Sequence, residues 1–229
     1  GKSLPEFLLE DKDTISPDKG IFIDKSRRLH PTLRQFVSEN FYDGRLKNFD
    51  FTEKRKIIFS NKKNSLPGTG IVLINANHKE VCRQKSEEEG SIVKDNYNEL
   101  LGSTFLDENN NKRIITEEDI LVVAPYNVQV NYLKSILPKN AKVGTIDKFQ
   151  GQQAPATIIS MTTSDPESLP RNIDFFFSRN RLNVAISRSQ CLSIVIMNKR
   201  ILEISCKKIR HMHLVNTFMK LLEFERSPN

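Results

Sequence analysis

The sequence is poor in cysteine, in long apolar runs and in clustered acids, and each shortage excludes something. The three cysteines, Cys82, Cys191 and Cys206, are odd in number, widely spaced and without a CxxC pair. That pattern fits reduced thiols in a cytosolic or nuclear protein rather than a disulfide framework. No apolar stretch approaches the eighteen residues of a membrane span, and no signal-peptide pattern is present, so neither membrane nor export is indicated. No set of carboxylates or of His and Asp forms a nuclease or metal site. His30 stands alone, and His211 and His213 fall on different faces of a helix. A phosphate loop of the form GxxxxGK[ST] is also missing: Gly1-Lys2-Ser3 has no earlier glycine and no leading strand. The acids at Glu117–Asp119 precede a strand instead of ending one, which makes them poor magnesium ligands.

What remains is a soluble-type composition long enough for a real core. The 229 residues are 38% hydrophobic and 28% charged, which suits one large domain spanning 1–229, with 1–19 as a lead-in segment. The net charge is +7, and residues 171–210 hold nine Lys/Arg against two acids, Asp174 and Glu203. The excess therefore sits in one stretch, as expected of a surface that meets phosphates.

Apolar runs at Gly70–Ala76, Asp119–Pro125, Ala156–Thr163 and Leu192–Met197 read as buried strands. Gly20–Asp24 (GIFID) reads as a further, short strand. Helical spacing appears in Leu33, Phe36, Val37 and Phe41 after Pro31, and in Val93, Tyr97, Leu100 and Leu101. It recurs in Val130, Leu133 and Leu137, and in Leu214, Phe218, Leu221 and Leu222. Residues 46–67 are polar and lysine-rich, with no chemistry legible in them. Cys82–Gly90 and Asp107–Arg113 read as exposed charged segments. The alternation of strands and helices predicts an α/β fold: a mostly parallel sheet covered by helices on both faces, with right-handed crossovers.

The chain centres on Val143–Gln190. VGTIDKFQGQQ reads as a strand entering a tight loop at Gly151, and DFFFSRNRLNVAISRSQ as a helix. Arg181 and Arg188, seven residues apart, would lie on nearly one side of such a helix. TIDKFQGQQ resembles motif V, and NRLNVAISRS motif VI, of superfamily 1 helicases, nearest the branch of the RNA-surveillance and Okazaki-fragment nuclease-helicases. APYNVQVNYL resembles motif IV, and the segment through Arg28, His30 and Pro31 resembles a motif ending in His-Pro, with Arg27 where an aromatic is usual. The lead-in resembles the segment after motif III, at the seam between two motor lobes.

The resemblance implies the C-terminal, RecA-like lobe of such a helicase, lacking its own phosphate loop. Arg188 and Arg28 would act catalytically as arginine fingers on the γ-phosphate of ATP. Gly151 and Gln153, with Arg181, would contact the nucleotide, Gln153 standing where the family usually has a ribose-binding glutamate. Arg181 also reads as a brace on its own helix or on a carboxylate. Tyr126, Asn127, Thr145 and Lys148 would meet single-stranded nucleic acid, with DNA favoured over RNA from the wording of the motif VI segment. ATP and Mg2+ would be held chiefly by an N-terminal RecA-like lobe, without which the domain is expected to be inactive as an ATPase. A bacterial cytoplasmic setting is favoured, a nuclear one remaining open. The rival expectation is a nucleic-acid-binding or docking module that keeps the fold without motor activity; Gln153 and Arg27 speak for it.

Overall fold

The computed structural model describes residues 14–16, 18–60, 66–165, 176–204 and 209–226. Most of the lead-in, residues 61–65, residues 166–175 including Leu169–Arg171, and Cys206 with Lys207–Lys208 lie outside the described residues.

Five strands form the central sheet: β4 (Gly70–Asn75), β7 (Ile120–Val123), β8 (Lys142–Gly144), β9 (Ala154–Ser160) and β10 (Ser189–Met197). Their order is β4-β10-β9-β7-β8 and every pairing is parallel. β9 is buried at every residue because both faces of the sheet are covered. Adjacent residues feed opposite cores. Ile158 and Ile194 point to one cluster with Tyr97, Leu100 and Leu133, while Ile159 and Val195 point to another with Leu33, Phe36, Phe177 and Phe218.

The second cluster lies under helices α1 (Pro31–Phe41), α4 (Arg179–Ile186) and α5 (Ile209–Arg226); the first lies under α2 (Glu87–Leu100) and α3 (Asn127–Ile136). His30 caps α1: its Nδ1 accepts from the Thr32 N–H at 3.3 Å, and Pro31 fills the first helical position. Among the described residues no helix is long and apolar enough to cross a membrane. The two described cysteines, Cys82 and Cys191, are free, and burial pushes the Cys191 thiol up to about 12.

Four expectations are corrected. GIFID is no strand: Ile21 and Ile23 are 93% and 81% exposed, while Phe22 packs 5.9 Å from the Tyr42 ring. Among the described residues, the pairing nearby joins β1 (Lys25–Ser26) to β2 (Lys47–Asn48). The charged Cys82–Gly90 stretch contains the start of α2, and Glu89 in it is fully buried. Its carboxylate accepts from Ser160 Oγ at 2.6 Å and from the Thr162 N–H at 2.8 Å. Around Asp107–Arg113, β5 (Thr104–Leu106) and β6 (Lys112–Ile114) form a hairpin that pairs with β3 (Lys56–Ile58) in a small antiparallel sheet. The motif VI helix is shorter than its sequence suggests. α4 ends at Ile186, the Ser187 N–H bonds back to Asn183 O at 2.8 Å, and Arg188 stands in the turn before β10.

Candidate nucleotide site

The end of α4 brings Arg188 to the N-terminal edge of the sheet, between the starts of β9 and β10. The Ala154 N–H bonds to Arg188 O at 3.0 Å, fixing that turn to β9. The Arg28 loop is tied to the same edge, because the His30 N–H bonds to Gln190 O at 2.8 Å. Ser26 Oγ tightens it further, accepting from the N–H groups of Arg28 (3.3 Å) and Leu29 (3.2 Å). Two segments far apart in sequence thus meet where β9 and β10 begin.

The side chains complete the arrangement. Arg28 Nε donates to Gln153 Oε1 at 2.8 Å, and its Nη1 to Ser187 O at 2.9 Å. Arg188 Nη1 donates to Gln152 O at 3.2 Å, while its buried Nε has no hydrogen-bond partner among the described residues. Gly151 lets the chain turn there with φ +82°, a left-handed conformation that favours glycine. Nothing lies within 4 Å of the position a Cβ would take, so backbone conformation rather than space selects glycine.

Both guanidinium groups line one open cleft of about 520 Å³, with Ser26, Gln153, Asn183 and Ser187 on its polar side and Ile23, Tyr42 and Val184 on its apolar side. Burial, and then the charge of Arg188, push the Arg28 guanidinium below the ordinary arginine range. Among the described residues, every hydrogen bond of the pair goes to a neutral oxygen. Two half-buried cations on neutral acceptors repel each other, and an anion between them would relieve both that repulsion and the orphaned Nε.

Arg181 is not brought to this cleft. Its Nη2 lies 3.6 Å from Asp147 Oδ2, and it lines a separate cavity of about 50 Å³ with Thr145 and Pro125. The brace is what the geometry favours, and the shared helical side expected for Arg181 and Arg188 is absent because the helix ends between them.

The residues expected to meet nucleic acid lie at the opposite edge. Asn127 follows β7, and Thr145 follows β8; Val123 and Gly144, the strand ends before them, stand level with Ile159. Five residues of β9 separate that level from Ala154, a distance of roughly 17 Å. Asn127 and Lys148 are exposed and Thr145 is half-buried. Lys148 Nζ donates to Val143 O at 3.2 Å. Tyr126 is a correction: at 3% exposed its ring belongs to the core with Leu121 and Ile146, so it offers no face for a base in this conformation. The segment 145–153 runs between the two edges and contributes residues to each.

Sequence reasoning missed several participants. Ser187 and Gln152 act through backbone carbonyls, which no motif of side chains announces. Gln129, fully buried in α3, donates to Ser86 O and Ser160 Oγ, both at 3.1 Å, and accepts from the Ser86 N–H at 2.9 Å. A glutamine three residues past Tyr126, in an otherwise apolar helix face, was the available signal.

The fold is an α/β domain of RecA-like type, and Arg28 and Arg188 line one cleft at its edge. Residues 2–200 match the model of the family described as AAA domain, and the chain belongs to that family. It is similar to DNA polymerase alpha-associated DNA helicase A of Saccharomyces cerevisiae, 26% identical over 194 residues, covering 80% of this chain and 28% of the relative. Similarity extends to ATP-dependent helicase upf1 of Schizosaccharomyces pombe (25% over 201 residues; 76% and 19%) and to RNA helicase Mov10l1 of Mus musculus (32% over 95 residues; 38% and 8%). The chain is therefore a helicase-family domain that spans less than a third of the length of these relatives. They include DNA and RNA helicases and are eukaryotic, so they lend no weight to a DNA preference or a bacterial source.

Proposed function

We propose that this chain acts as the second motor lobe of an ATP-dependent superfamily 1 helicase. Arg28 and Arg188 would meet the γ-phosphate of a triphosphate whose β- and γ-phosphates are gripped by the phosphate loop of another lobe. The observation that supports this most is the convergence of the two arginines on one open cleft, with no carboxylate paired to either among the described residues. Loosening of the bond to the γ-phosphate spreads negative charge over its oxygens, and a planar guanidinium meets that charge with paired donors. Among the described residues no three His, Cys, Asp or Glu side chains gather to hold a metal. Mg2+ would be held chiefly by the other lobe, together with the phosphates of the nucleotide.

The second edge, with Asn127, Thr145 and Lys148, would hold single-stranded nucleic acid, DNA or RNA, largely through its backbone. Segment 145–153 would link the two events, since it touches both edges. A second reading, a docking module without motor activity, draws support from Gln153, an uncharged residue whose amide oxygen is already taken by Arg28. Nucleotide-driven unwinding by the full-length protein separates the two. A motor loses unwinding in an Arg188→Ala form while still binding the strand; a docking module has no unwinding to lose.

A further inference from the structure

The loop carrying Arg28 has no ladder or helix of its own to fix it beyond the two-residue pairing at Lys25–Ser26. Ser26 Oγ holds its N–H groups, and one distant side chain holds its carbonyls. Arg55, 5% exposed, donates from Nη1 to Arg27 O at 3.1 Å and to Arg28 O at 2.9 Å. Those two carbonyls belong to the peptide units on either side of the Arg28 Cα. A single guanidinium thus restrains both peptide planes from which the Arg28 side chain springs.

Arg55 is itself held from outside the parallel sheet. Its Nε donates to Glu108 Oε2 at 2.9 Å, and its guanidinium lies 5.5 Å over the Phe51 ring. Phe51 stacks on Phe49 at 5.6 Å, and Arg27 lies over both rings at 5.6 and 4.9 Å. Glu108 sits in the tight turn of the β5–β6 hairpin. There the Asp107 carboxylate accepts from the N–H groups of Asn109 and Asn111, both at 2.8 Å, and from Asn111 Nδ2 at 3.0 Å. The turn is rigid, so the carboxylate it presents has a fixed place.

We infer that Arg55, anchored by Glu108, is a positioning residue that holds the Arg28 guanidinium beside Arg188 in the cleft. The inference rests on the reading of that cleft as the triphosphate site. Lysine in place of Arg55 keeps the charge but lacks the fork that reaches carboxylate and carbonyls together. With its carbonyls released and Ser26 Oγ left to hold its N–H groups, the Arg28 backbone would be less closely placed, and a misplacement of about 1 Å costs on the order of a hundredfold in rate.

The test is a double-mutant cycle on ATP hydrolysis by the full-length protein, read as single-turnover rate and KM. Arg55→Lys and Glu108→Ala are each expected to lower the rate by about tenfold to a hundredfold with little change in KM. In an Arg28→Ala background the same changes should cost almost nothing more, because the residue they position is gone. Equal losses in both backgrounds would overturn the inference and leave Arg55 a structural residue. The Glu108 side chain is 35% exposed, so Glu108→Gln, which keeps an oxygen for Arg55 Nε, is the milder second variant, and unfolding midpoints of all variants confirm that the fold is kept. A wild-type rate in Arg28→Ala alone would instead overturn the reading of the cleft.

Discussion

Arg28 and Gln153, 125 residues apart in the chain, are joined by a 2.8 Å hydrogen bond from Nε to Oε1. The partner is neutral, so the bond orients the guanidinium without cancelling its charge. A glutamate at 153 would make the same contact as an ion pair. Such half-exposed pairs contribute up to about 1 kcal/mol. Gln153→Glu is thus expected to weaken ATP binding by roughly fivefold, and Gln153→Ala to lower kcat by freeing Arg28. Nucleotide titrations beside steady-state rates check both.

Gly151→Ala should be tolerated sterically yet strained, as φ is +82° and the Cβ would meet open space. The expected cost is about 1–2 kcal/mol. Because Gln152 O and Gln153 Oε1 both hold arginines, the rate should fall as well. Urea unfolding gives the first quantity and single-turnover hydrolysis the second.

His30 predicts a pH dependence. Burial lowers its pKa, partly offset by the Glu53 carbonyl that accepts from Nε2 at 3.1 Å. The folded chain then binds its proton more weakly than the unfolded chain does. Its contribution is present above the unfolded value of about 6.5 and is lost as pH falls through and below it. Unfolding midpoints at pH 7.5 and 5.5 should differ more for the wild type than for His30→Asn, which keeps a capping oxygen.

Lys148→Ala should weaken single-strand binding and reduce its salt slope by about one unit, without altering nucleotide affinity. Binding isotherms at several salt concentrations measure this. An unchanged slope would remove Lys148 from the strand-binding edge.

The parallel sheet was legible because its strands are continuous apolar runs, and burial on both faces leaves no alternation to mislead. The GIFID run was misleading for the same reason: an apolar run carries no mark of whether anything covers it. The motif singled out Arg188, but where it stands depends on where α4 stops, and a helix of eight residues ending at Ile186 has no Gly or Pro to announce it. Arg55 was invisible. It lies within Glu53-Lys54-Arg55-Lys56, which reads as a solvated charged run, and the hairpin, Phe51 and the Arg28 loop that gather around it are distant or unremarkable in sequence. The hairpin strands are three residues each and β6 is exposed throughout, so no periodicity betrays them.

The most direct measurement is the ratio of affinities for a slowly hydrolysed ATP analogue and for ADP, taken on the full-length protein and on Arg28→Ala, Arg188→Ala and the double variant. If the two guanidinium groups grip the third phosphate together, each single change should shrink the preference for the triphosphate and the double change should erase it, while ADP binds as before. A double variant that keeps the wild-type ratio would contradict the account.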